Sequence, residues 1–199
     1  NNNISHRDIK PSNIYFYNNR YCLADFGLAE LIGETNYYTK SDKGLGAIFT
    51  IAPEMKRNPK EADGKKADVF SLAKTIWMLL TKDEKGFDGV YNYLDPSHSL
   101  QYIHEYRDTH LVEINELLKE ATDNEPNNRP DIKKFKEKLE NWVEVYLDDY
   151  KSQISDWNFL NKKLFKSTPK SVSWENNEEI IEILNTIGQN PAYNHMFFH

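Results

Sequence analysis

Cysteine is almost missing from this chain of 199 residues: Cys22 stands alone, which excludes an intrachain disulfide framework and suits a reducing compartment. Cys22 falls in a stretch that reads as a strand, with Arg20 as its one basic neighbour, so a packed rather than a reactive thiol is expected. Long apolar runs are lacking too. The longest, residues 75–80, is far short of the roughly 20 residues that a membrane-crossing helix needs, so no membrane segment is expected. The opening Asn1-Asn2-Asn3 has neither the charge nor the apolar stretch of a secretory leader, and a cytoplasmic protein is the expectation. Basic excess is absent as well: 25 Lys and Arg stand against 31 Asp and Glu, a net charge of -6. A nucleic-acid partner, which would leave a basic footprint, is therefore not expected.

What the chain does have is enough apolar material, 39% with 13% aromatic, for one sizeable core but not for two independent catalytic domains. Its densest chemistry lies in residues 6–13, His-Arg-Asp-Ile-Lys-Pro-Ser-Asn. Asp8, Lys10 and Asn13 set a carboxylate, an ammonium and a neutral amide close together, and Pro11 stiffens the turn between them. A hydroxyl attacking a terminal phosphate needs an acceptor for its proton, a cation beside the migrating group, and oxygen ligands for magnesium. The loop offers all three. Residues 14–16, the polar Asn18-Asn19 pair and residues 21–24 then read as a short hairpin. Such a hairpin would hold the loop at one end and deliver Asp25 at the other, so that Asp8, Asn13 and Asp25 converge.

The pattern His-Arg-Asp-x-Lys-x-x-Asn resembles the catalytic loop of eukaryotic-type serine/threonine protein kinases, and further landmarks of that family follow in order. Asp25-Phe26-Gly27 resembles its magnesium-binding triplet. Residues 25–54, rich in Gly, Thr, Tyr and Lys and without a sustained period, resemble its activation segment, closed by Ala52-Pro53-Glu54. Residues 67–73 resemble the start of its central helix, and Asn127-Asn128-Arg129-Pro130 the site of a structural arginine. The resemblance implies roles. Asp8 would take the proton of the substrate hydroxyl, Lys10 would neutralise the γ-phosphate of ATP, and Asn13 with Asp25 would hold Mg2+. Lys10 also favours serine or threonine over tyrosine substrates. Phe26 would pack in the core, Gly27 would supply the turn, and Asp68 would hold the loop backbone at His6 and Arg7. Arg129 would pair with Glu54. Arg7 would meet a phosphate placed on the segment, with Thr39 and Ser41 as its candidate sites and Tyr37 and Tyr38 behind them.

One departure stands out. Gly46-Ala47 occupies the place where the family's serine/threonine members carry Gly-Thr, whose hydroxyl normally bonds the catalytic aspartate and lysine; Thr50 is a nearby substitute for that hydroxyl. Elsewhere, residues 65–81 are apolar all round a helical wheel and predict a buried helix. Residues 100–106 and 113–121 predict two shorter helices. Residues 131–150 predict one long amphipathic helix, with Ile132, Phe135, Leu139, Trp142, Val143 and Tyr146 at helical spacing. Beyond it, residues 157–165 and 178–187 read as two more helices, the second closed by Gly188.

The fold class expected is therefore mainly α, from an α+β parent fold: a kinase-like C-terminal lobe with a short β-hairpin and a buried central helix, the N-terminal lobe absent. No glycine-rich phosphate loop and no strand lysine precede His6. Residues 1–150 would form the partial catalytic domain and residues 151–199 a helical extension of unknown role. The function this implies is transfer of the ATP γ-phosphate to hydroxyls of a protein substrate by a longer parent, the chain alone being inactive. The open face of the lobe would be covered by the missing lobe or by a second copy. A pseudokinase or interaction scaffold is the alternative, favoured by Gly46-Ala47 and by the extension.

Overall fold

The computed structural model describes residues 4–31, 45–165 and 173–189. Strand β1 (Ile4–Ser5) leads into the loop, and a 3-10 turn (Pro11–Asn13) leads out of it into β2 (Ile14–Tyr17). β2 pairs antiparallel with β3 (Arg20–Leu23), Tyr15 opposite Cys22 and Phe16 opposite Tyr21. The two residues between them, Asn18 and Asn19, have φ of 49° and 58°, the left-handed pair that a tight hairpin requires and asparagine tolerates. A second short ladder joins β1 to β4 (Glu30–Leu31), so the chain returns beside its own start after passing Asp25.

Helices follow: α1 (Leu45–Thr50), α2 (Pro53–Arg57) and α3 (Gly64–Thr81). The Asp63 carboxylate accepts from the amides of Lys65 and Lys66 and so caps α3. Val69, Phe70, Ala73, Lys74, Trp77 and Met78 of α3 are all buried, which explains why its sequence shows no single apolar stripe. Around it pack Phe87, Tyr91 and Leu100, then Ile114, Leu117 and Leu118 of α4 (Val112–Ala121), then Phe135 and Trp142 of α5 (Ile132–Tyr146). Helices α6 (Asp149–Leu164) and α7 (Asn177–Gln189) make a smaller core of their own from Leu160, Leu164 and Ile183.

Five expectations need correction. The long helix over residues 131–150 is two helices, because the Asp148 side chain accepts from the amides of Tyr150 and Lys151 and starts a new helix there. On α5 only Phe135 and Trp142 of the apolar positions are fully buried, while Ile132, Val143 and Tyr146 face water. Residues 100–106 form two 3-10 turns rather than a helix, and α7 runs through Gly188 instead of stopping at it. Cys22 is exposed, not packed. The hairpin leaves Tyr15, Phe16, Tyr17 and Tyr21 all open to solvent, so strand alternation there does not sort residues into inside and outside. Among the described residues no helix is long and apolar enough to cross a membrane.

Candidate active site

The loop between β1 and β2 is held from beneath by one carboxylate. Asp68, in the second turn of α3, accepts from the amide of His6 at 2.6 Å and from that of Arg7 at 2.7 Å. Burial raises the Asp68 carboxyl above its ordinary value, and the two amides work against that rise. Arg7 is thereby kept at φ 67°, a left-handed conformation costly for a long side chain. Burial lowers its guanidinium below the usual value while Asp68 pulls it back. The approach of α3 to the loop is close. A Cβ on Gly64 would lie 2.4 Å from Ser5 Oγ and 3.1 Å from Arg7 Nε, so only glycine fits that first turn.

His6 is buried, and its ring joins the loop to the strand end. Nε2 meets the carbonyl of Ala24 at 3.0 Å while Nδ1 accepts from the amide of Asp8 at 3.4 Å, which fixes the tautomer with its proton on Nε2. From the opposite side of the loop, Thr75 Oγ1 reaches the Ile9 carbonyl at 3.4 Å and the Ser71 carbonyl at 2.7 Å.

On this support the polar groups gather. Lys10 Nζ donates to Asp8 Oδ2 at 2.7 Å. Asn13 Nδ2 donates to the Asp8 carbonyl at 2.8 Å and to Asp8 Oδ2 at 3.0 Å. Both Asp8 and Asn13 are buried. Because its amide nitrogen faces two acceptors, Asn13 keeps its amide oxygen for a cation. The Ala24 amide donates to the Asn13 carbonyl at 2.9 Å, so Asp25 starts one residue from Asn13. Asp25 has φ 62° and an exposed carboxylate. One amide oxygen and one carboxylate fit magnesium, which takes one or two protein oxygens and completes its shell from phosphate and water. Among the described residues no three His, Cys, Asp or Glu side chains could hold a metal by themselves.

Phe26 differs from the core packing implied for it. Its ring is tilted by 60° to that of His6, with centroids 4.7 Å apart, and the residue is 57% exposed. Gly27 is the middle residue of the 3-10 turn (Phe26–Leu28). Farther along, Arg129 meets Glu54 in a two-pronged pair, Nη1 to Oε1 at 2.6 Å and Nη2 to Oε2 at 2.8 Å. Its Nε donates to the Asp123 carbonyl, and its guanidinium lies 4.9 Å over the Phe70 ring, so a fully buried charge is satisfied on every side. That pair holds α2, directly after Ala52. Thr39 and Ser41, with Tyr37 and Tyr38, lie outside the described residues; Gly46 and Ala47 lie in α1, whose last residue, Thr50, is buried.

Ser5, Gly64 and Thr75 serve this site without any sign in a motif. A glycine directly after a capping aspartate was the one available signal for Gly64.

Comparison with known proteins identifies the family. The family described as protein tyrosine and serine/threonine kinase matches residues 1–139. The chain is similar to serine/threonine-protein kinase R436 of Acanthamoeba polyphaga mimivirus, 29% identical over 145 residues that cover 72% of this chain and 51% of that protein. Ankyrin repeat and protein kinase domain-containing protein 1 of Homo sapiens is 31% identical over 64% of this chain and 18% of its own length. Serine/threonine-protein kinase ppk34 of Schizosaccharomyces pombe is 40% identical over 38% of this chain and 21% of its own. The chain thus spans about half the length of the viral relative and a smaller share of the other two.

Proposed function

The chain belongs to the protein tyrosine and serine/threonine kinase family, and from that premise we propose that it is the C-terminal lobe of a serine/threonine protein kinase. The observation that carries this reading is the hydrogen-bonded group of buried Asp8 and Asn13 with half-buried Lys10, and Asp25 delivered beside it by the hairpin. Asp8 accepts the proton of the attacking hydroxyl; its position on a loop fixed by Asp68 and Asn13 lets it do so without rearrangement. Lys10, now on Asp8, would offset the charge of the γ-phosphate. Asn13 and Asp25 would hold Mg2+, which when bound would supply charge neutralisation at the phosphate oxygens of ATP. The Glu54 and Arg129 pair fixes the end of the activation segment, where a protein rather than a small molecule is received.

Residues 1–150 are read as the catalytic lobe and residues 151–199 as its extension, within a longer cytoplasmic protein. The relatives' greater length and the open aromatics of the hairpin, Tyr15, Phe16, Tyr17 and Tyr21, support a missing lobe that covers them. Without it the chain is inactive. The test is transfer of labelled γ-phosphate from ATP to a generic protein by the full-length parent, repeated with Asp8→Asn. Transfer that the substitution abolishes is the expected result. Transfer that survives it overturns the reading, and nucleotide binding with no transfer favours the scaffold alternative.

A further inference from the structure

An ammonium lies inside the hydrophobic core. Lys74, in the middle of α3, is 1% exposed. Its Nζ donates to the Phe87 carbonyl at 2.7 Å and to the Gly89 carbonyl at 2.6 Å, and it sits 3.3 Å from the centroid of the Phe87 ring. Among the described residues no carboxylate pairs with it. Burial lowers its pKa to about 7; Asp88, next to both carbonyls in sequence, pulls it up, and Lys56 of α2 pushes it down. An apolar side chain would fill this place at less cost, so the two carbonyls are what the lysine is for.

Those carbonyls belong to a turn that cannot satisfy itself. Gly86 and Gly89 have φ of +66° and +67°, and the turn between them points backbone oxygens into the core, where an unmet carbonyl is costly. His98 stacks on the Phe87 ring, 4.9 Å away, and Trp77 Nε1 donates to the His98 carbonyl, which holds that stacking partner in place. The outer side of the turn meets the activation segment. A Cβ on Gly86 would stand 3.4 Å from the Cβ of Phe49 and 3.6 Å from the sulfur of Met78. Phe49 belongs to α1, which packs on α3 and ends in buried Thr50 just before Ala52-Pro53-Glu54.

We infer that Lys74 is a positioning residue: by holding the Phe87 and Gly89 carbonyls it fixes the turn against which Phe49 rests, and so sets where the end of the activation segment presents itself to a protein substrate. The inference rests on the kinase reading above for its functional half. Its structural half, the link from Lys74 through the turn to Phe49, stands apart from that reading.

The test uses three variants of the full-length protein, Lys74→Met, Lys74→Arg and Phe49→Ala, and the double variant. Lys74→Met should raise KM for a protein substrate on the order of 10-fold, the scale on which small displacements of docking groups act, while KM for ATP stays within about twofold. Lys74→Arg, which keeps the donors, should restore most of the loss. Phe49→Ala should give the same split, and the double variant should be no worse than the worse single one, because both break one link. Equal changes in both KM values, no change in either, or additive effects in the double variant would overturn the inference. If the wild type transfers no phosphate, the kinase reading has failed, and amide hydrogen exchange on this chain decides the structural half. Lys74→Met should then speed exchange at residues 48–50 together with 87–91 and leave α4 unchanged; unchanged exchange at 48–50 refutes the link. Should Lys74→Met not fold, Phe49→Ala is read in reverse, by faster exchange at 87–91.

Discussion

Asp156 of α6 lies 2.8 Å from Nδ1 of His110, and that contact ties the C-terminal helices to the lobe. On its other nitrogen the same buried ring meets Glu113 of α4, and Ser155 of α6 donates to Glu113 in turn. Two carboxylates from two helices thus share one imidazole. Burial alone would lower the His110 pKa, but the hydrogen bonds and charges of Asp156 and Glu113 outweigh it and push it to about 9.

A pH dependence follows, with its sign fixed. The folded value of His110 is above its ordinary 6.5, so its contribution is complete below about pH 6.5 and fades as pH climbs through about 9. Lys74 works the other way, since its folded value of about 7 is below 10.5 and the unfolded chain holds the extra proton between them. The His110 part is therefore isolated as the difference in thermal midpoint between wild type and His110→Gln. That difference should be largest near pH 6 and shrink toward pH 10; a constant difference would contradict the assignment. His110→Ala, which leaves two carboxylates facing each other, should cost about 3–5 kcal/mol in urea unfolding at pH 7.

Arg129→Met should be among the most damaging single changes in the chain. It strands the Glu54 carboxylate together with the carbonyls of Asp123 and Lys66, and a cost of about 3–5 kcal/mol is expected from loss of one partner of a buried pair. Arg129→Lys should recover little, since a point charge cannot reproduce the two-pronged geometry. Urea midpoints of the three proteins check both statements.

Asp68→Ala should cost about 3–6 kcal/mol, from two amide bonds to a charged acceptor worth about 1.5–3 kcal/mol each. Asp68→Asn keeps one acceptor oxygen and turns an NH2 toward the other backbone N–H, so it should lose at least half of that stability and also lower phosphate transfer by releasing the strained backbone at Arg7. Parallel measurement of stability and of transfer by the longer parent separates the two effects.

Gly64→Ala should destabilise the chain by about 1–3 kcal/mol through overpacking against Ser5 and Arg7. Adding Ser5→Gly, which removes the atoms at 2.4 and 2.8 Å, should return part of that loss. If the double variant unfolds no later than Gly64→Ala, the clash is not the cause.

The sequence revealed most where chemistry is dense and local. Asp8, Lys10 and Asn13 lie within one turn of chain, and Asn18-Asn19 marks a hairpin by its own backbone preference, so both could be read directly. The central helix was legible because apolar residues on every side leave no other home than a core. The break at Leu147 and Asp148 was hidden, since Val143, Tyr146 and Tyr150 keep helical spacing across it and only a single capping carboxylate interrupts. Leu100, Ile103 and Tyr106, three apart, suit a 3-10 turn as well as an α-helix, and nothing local decides between them. Lys74 and His110 were invisible for the opposite reason: each is explained by backbone or carboxylates far away in sequence.

The lone thiol on the outer strand of the hairpin has a practical use. Cys22 is accessible, directly across from Tyr15 and three positions before Asp25. A maleimide dye will therefore attach at one place without any mutagenesis, and its emission will report in real time any change in the surroundings of that strand.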